Sequence, residues 1–151
     1  CSTMEATSRT FNKNNEEELR DFIISTLGTH YVDGVTGETF RKIGKTDIHV
    51  IFENKSAFIG ECKIWHGIKK FTDAIEQVFG YSTWKDRKIS LIIFKKDNKD
   101  FNSILDVIES WIKANTKKVT KENANMWKCL IHREKSNSDI QIAIQVYDIS
   151  I

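Results

Sequence analysis

Five apolar residues, Phe71, Ala74, Ile75, Val78 and Phe79, fall at i, i+3, i+4, i+7 and i+8, and a short apolar run over residues 89–94, broken only by Ser90, follows within ten residues. The first pattern is an amphipathic helix with one stripe to bury, and the second is a strand covered on both faces. Joined so closely, they predict a crossover unit and hence a layered α/β domain. The remaining elements fit around it. Leu19, Phe22, Ile23, Thr26 and Leu27 recur at helical spacing behind three glutamates, with Gly28 placed to cap the end. Glycines 34, 37 and 44 break up a stretch predicted to hold a short strand over 38–42, leading into a strand over 46–53. Asn54, Lys55 and Ser56 make a turn into a third strand over 57–65. A helix carrying Phe101, Ile104, Leu105, Ile108, Trp111 and Ile112 precedes two late strands, over 127–132 and 140–146. The order α, β, β, β, α, β, α, β, β predicts one mixed central β-sheet flanked by helices.

Composition sets outer limits on that reading. The chain has 151 residues, 40% hydrophobic and 29% charged, enough for one globular domain with a real core. No apolar run approaches the length of a membrane span, so a soluble protein without a membrane partner is expected. Lys and Arg total 23 against 21 Asp and Glu, so any basic surface for nucleic acid must be local. Cys1, Cys62 and Cys129 are too widely spaced for a disulfide framework or a CxxC zinc site, which points to a reducing cytoplasm. The polar run over residues 1–13 lacks apolar periodicity and reads as a linker or cloning remnant before a domain over 14–151.

The chemistry concentrates in the hairpin formed by residues 46–53 and 57–65. Two antiparallel residues face the same side directly across from each other when their numbers sum to an even constant. A sum of 108 pairs Asp47 with Glu61, and a sum of 110 pairs Asp47 with Lys63. In either register the three side chains share a face, roughly 5 to 8 Å apart. Ile48, Val50, Phe52, Cys62 and Ile64 then point the other way, onto an apolar face. Two carboxylates held together repel unless a cation lies between them. Hard oxygen ligands suit Mg²⁺, with Mn²⁺ able to substitute, and the backbone carbonyl of Cys62 is placed to add a ligand. Lys63 beside that ion would orient or help deprotonate an attacking water, so hydrolysis of a phosphodiester is the simplest reaction for this set.

At these residues the sequence resembles the PD-(D/E)XK nuclease superfamily, with its restriction-endonuclease-like fold. Gly44-Lys45-Thr46-Asp47-Ile48 matches the strand that carries the family's aspartate, Thr46 standing where the eponymous proline would be, and Glu61-Cys62-Lys63 matches the acidic-x-lysine element. Gln77 and Tyr81 on the following helix resemble the QxxxY element of the RecB-type branch. The resemblance covers residues 16–94. It implies an α-β-β-β-α-β core with C-terminal additions, and Mg²⁺-dependent hydrolysis of nucleic acid, in the first instance DNA, by an endonuclease rather than an exonuclease. Asp47 and Glu61 would hold the metal, and Lys63 would be the catalytic lysine. A further metal-associated glutamate is common on helix one, and helical phase favours Glu16 over Glu17 or Glu18.

Each of these residues also has a plainer reading. Asp47, Glu61 and Lys63 could form a structural ion pair on a solvated face. Gln77 and Tyr81 either line a catalytic cleft or form the polar flank of a surface helix. Trp65 and Trp84, with Lys45, Lys69, Lys70, Lys85, Arg87 and Lys88, either form an aromatic and basic rim for phosphates and bases or seal the core and keep the surface soluble. Lys117, Lys118 and Lys121 read as a solvated loop. His49 shares the strand face of Asp47 but is read as a bystander, because Mg²⁺ prefers oxygen; His66 is placed just past its strand, and no zinc site is expected. The rival function is a catalytically silent nucleic-acid-binding or adaptor module of the same fold. Many enzymes of this fold pair up to cut both strands, so a homodimer is one expected partner state, and a regulatory domain outside this chain is another expected partner.

Overall fold

The computed structural model describes residues 1–28, 35–36, 39–41, 44–46, 48–52, 55–81, 88–134 and 137–151. Along the chain these form α1 (Ser2–Ala6), α2 (Ser8–Phe11), α3 (Glu16–Gly28), β1 (Val35–Thr36), β2 (Thr39–Arg41), β3 (Gly44–Thr46), β4 (Ile48–Phe52), β5 (Lys55–Ile64), α4 (Ile68–Tyr81), β6 (Lys88–Lys95), α5 (Phe101–Asn115), β7 (Lys117–Asn123), β8 (Met126–Arg133) and β9 (Ser138–Asp148). The predicted α/β class with a mixed sheet is what the chain adopts. Among the described residues the main sheet runs β1-β4-β5-β6-β9-β8-β7, and β2 and β3 make a separate two-stranded sheet. The inner pairs β5–β6 and β6–β9 are parallel, while the pairs towards both edges are antiparallel.

Strand alternation divides the core into two. On β6, Ile89, Leu91 and Ile93 join one buried cluster, with Phe71, Ala74, Ile75 and Val78 of α4 and Ile104, Ile108 and Ile112 of α5. Ile92 and Phe94 face the other cluster, with Met4 of α1, Leu19 and Ile23 of α3, Ile48 and Cys62. The sheet is thus covered on both sides, as its central parallel strands require. Burial of each such large aliphatic side chain contributes about 1.5–3 kcal/mol. Two helix starts are capped by side chains. Asp100 accepts from the Ser103 backbone N–H at 3.2 Å at the start of α5. Asn15 and Glu18 bond reciprocally through side chain and backbone at 2.8 and 2.9 Å, a capping box that opens α3.

Three expectations need revision. The predicted strand over 46–53 is two strands in different sheets, β3 pairing with β2 and β4 pairing with β5; Asp47, between them, lies outside the described residues. The linker expected over 1–13 instead contains two short helices, and Met4, only 1% exposed, seals the second core. One apolar side chain in a polar run carries no periodicity, so local pattern missed it. Lys117, Lys118 and Lys121, expected in a loop, lie on β7, whose lysines mark it as an edge strand protected by charge.

Candidate active site

The register of the β4–β5 hairpin governs what its residues can share. Ile48 pairs with Gly60, His49 with Ile59 and Val50 with Phe58, so each pair sums to 108, one of the two registers expected. A bulge after Val50 then shifts the pairing. Within β5 the predicted faces separate: Cys62 and Ile64 pack in the core beneath α3, whereas Ile59 belongs to the core beneath α4 and α5. Glu61 and Lys63 share the parity of Ile59.

Glu61 is only 1% exposed. A carboxylate so far from water must be compensated, and the Lys63 ammonium lies 3.1 Å from its Oε1. Lys63, about a quarter exposed, also meets the Oε2 of Glu16 at 3.8 Å. The other oxygen of Glu16 accepts a hydrogen bond from the Ile64 backbone N–H at 3.0 Å. Among the described residues β4 pairs with β5 as far as Gly60; the Ile64 N–H lies four residues further along the strand, and the carboxylate satisfies it. One ammonium thus stands between two carboxylates from different elements, one buried and one at the surface. Glu16 is the first residue of α3, where helix polarity also favours an anion.

Beside this group a cleft of about 300 Å³ opens between β5, α4 and the start of α3. Glu16, Lys63, Lys70, Asp73 and Gln77 line it, above a floor that includes Phe71, Ala74 and Ile93. Gln77 therefore lies at the cleft rather than remote from it. Asp73 was not singled out from the sequence, yet 70, 73 and 77 share one helical phase beside the apolar stripe, a signal that was there to read. His66, just past β5 as expected, also borders the cleft.

The other expected contacts are more scattered. Trp65 is 7% exposed and its ring lies 6.2 Å from that of Phe71, so it is a wall of the cleft packed into the core rather than an open stacking surface. Lys69 is exposed on the first turn of α4 and does not line the cleft. Lys45 lies on β3 opposite Phe40, and Tyr81 is the last residue of α4. Lys85 and Trp84 lie outside the described residues, as does Asp47. The Cys62 thiol is buried on the opposite face, leaving its backbone between the two motif side chains. Among the described residues no three Asp, Glu, His or Cys side chains are grouped so as to hold a metal ion.

No protein-family model, curated protein or solved structure matches the chain. Its chemistry is therefore read from the site. No helix among the described residues is long and apolar enough to cross a membrane.

Proposed function

We propose that this chain is a Mg²⁺-dependent nuclease domain of the PD-(D/E)XK type, hydrolysing phosphodiester bonds in DNA. The observation that carries the reading is the buried Glu61 carboxylate held 3.1 Å from Lys63 at the edge of a cleft, with the Glu16 carboxylate on the other side of the same ammonium. A buried acid and a lysine two residues apart on one strand are costly to keep together unless the pair has a use. The register constant of 108 that holds from Ile48 to Val50 is the one under which strand parity pairs Asp47 with Glu61.

The donors fit a hard divalent cation, since each is an oxygen: Asp47, Glu61 and the Cys62 carbonyl would hold it, with Glu16 beside them. Bound there, Mg²⁺, or Mn²⁺ in its place, supplies Lewis-acid activation of a water and of the phosphoryl oxygens. The work of the chain's own residues is positional. Lys63 Nζ carries the positive charge that orients a nucleophilic water and can accept its proton when the ammonium has lost one. Glu16 restrains that ammonium, and Lys70 and Gln77 along α4 offer donors to a phosphate in the cleft.

Incubation with supercoiled, linear and single-stranded DNA and with RNA, in Mg²⁺, Mn²⁺ or chelator, tests this reading. Metal-dependent cleavage of DNA is expected, abolished in Asp47→Ala and Lys63→Ala proteins that retain their circular dichroism. Cleavage unchanged in both variants, or DNA binding with no metal-dependent cleavage, overturns it.

A further inference from the structure

On the face of the sheet opposite Glu61 and Lys63, a second cleft of about 340 Å³ opens between α1, α3 and strands β4, β6 and β9. Its apolar walls include Met4, Phe22, Ile23, Leu27, Ile48 and Ile92, and among the described residues no charged side chain lines it. Its floor is different. Ser90 of β6 and Gln145 of β9 lie there, two polar side chains on a face that otherwise forms a core.

Their orientation is set from outside the cleft. The Tyr147 hydroxyl donates to Gln145 Oε1 at 2.6 Å, so the amide nitrogen points the other way and donates to Ser90 Oγ at 3.3 Å. Burial pushes the Tyr147 phenol up from its ordinary value, and nearby Glu5 adds to this, so the hydroxyl stays protonated and keeps its donor role. Each of the two inner groups then has one hydrogen left over, the Ser90 hydroxyl hydrogen and the second amide hydrogen of Gln145. Neither has an acceptor among the described residues. Both side chains are half-buried, so water meets these hydrogens in the free cleft, and a ligand that excludes that water must bring an acceptor in its place.

Size and charge narrow the ligand. A cavity of about 150 Å³ lined by apolar side chains takes up benzene, so twice that volume accommodates a two-ring body. Pockets of this scale, mostly apolar with a few placed polar groups, are the usual form of a small-molecule site. Apart from the terminal amine of the exposed Cys1, no cation lines the cleft among the described residues, so an anionic ligand seated on the floor would be desolvated without a cationic side chain to compensate it. We propose that this cleft binds a neutral, largely apolar small molecule that presents a hydrogen-bond acceptor to Ser90 and Gln145. The inference is independent of the nuclease reading, because the cleft lies on the other side of the sheet.

A near-isosteric pair of probes tests it: 2-acetylnaphthalene, which carries an acceptor, and 2-ethylnaphthalene, which does not, each titrated by calorimetry into the intact chain. The acetyl compound is expected to bind at least tenfold more tightly. Ser90→Ala, which removes one donor without crowding the floor, should shrink that preference to threefold or less. Thr26→Phe, at an exposed position on the cleft wall, should abolish binding of both probes while circular dichroism and melting temperature hold. Equal affinity for the two probes, no binding of either, or binding that survives Thr26→Phe in a folded protein overturns the proposal.

Discussion

Glu16 and Ile64, 48 positions apart in the chain, are joined by a hydrogen bond of 3.0 Å from the strand N–H to the helix carboxylate. The bond ties the first turn of α3 to the end of β5 and brings a second acid to Lys63. Glu16→Gln keeps an acceptor for the N–H but removes the charge. Its stability in urea should stay within about 1 kcal/mol of the parent. Cleavage in Mg²⁺ should fall roughly 10- to 100-fold, with a higher metal requirement, as expected for a group that tunes a metal site. Full activity at the parent's metal requirement would make Glu16 purely structural.

Lys63→Met probes the buried pair. It takes the ammonium away from a carboxylate that is almost fully enclosed, while keeping most of the side-chain volume. A loss of about 2–4 kcal/mol is expected at pH 7. The loss should shrink in a Glu61→Gln background, where the buried side chain carries no charge to compensate. Urea titrations in both backgrounds measure this, and an equal loss in each would show that packing rather than charge is at stake.

A second ion pair gives a pH prediction of its own. Lys95, only 3% exposed, meets Asp148 Oδ2 at 2.9 Å. Burial alone would raise the Asp148 carboxyl, but hydrogen bonds from Ser150 and the Lys95 ammonium outweigh it and leave the group below its ordinary value of 3.8. A carboxylate depressed on folding stabilises the protein above its unfolded value, and that contribution is lost as pH falls through the lower, folded value. Asp148→Asn should therefore weaken the protein at pH 7 and flatten the part of its acid unfolding curve below about pH 4. An acid limb identical to the parent's would rule this pair out as its source.

Residues 1–15 should behave as part of the domain. Asn12 donates from its side chain to the carbonyls of Lys96 and Ile149 at 2.9 and 3.0 Å, and Met4 fills the core beneath. Met4→Ala is expected to cost about 2 kcal/mol, at the low end of buried large-to-small changes because a short terminal helix can relax. Asn12→Ala should cost about 1–2 kcal/mol through two lost hydrogen bonds. Melting temperatures unchanged in both would return this segment to the role of a linker.

Much of this architecture can be read from local pattern, because period and parity depend on nearest neighbours. The stripe at Phe71, Ala74, Ile75 and Val78 becomes the buried face of α4, and the run over 89–94 becomes the parallel strand β6. Alternation puts Cys62 and Ile64 in one core and Glu61 and Lys63 on the opposite face, and it allows the register of 108. Where the chain changes sheets, pattern is silent: residues 46–53 alternate like one strand, yet β3 and β4 find partners in different sheets.

The sequence alone was enough to put an acid and a lysine side by side, since two residues two apart on a strand must share a face. It could not tie the Glu16 carboxylate to the Ile64 N–H and the Lys63 ammonium, set the Lys70, Asp73 and Gln77 side of α4 against that pair, or hollow out the cleft above Ser90 and Gln145. Those features join positions tens of residues apart, and their free energy comes from contacts that exist only once helices have packed on both faces of the sheet. No local periodicity records a contact of that kind.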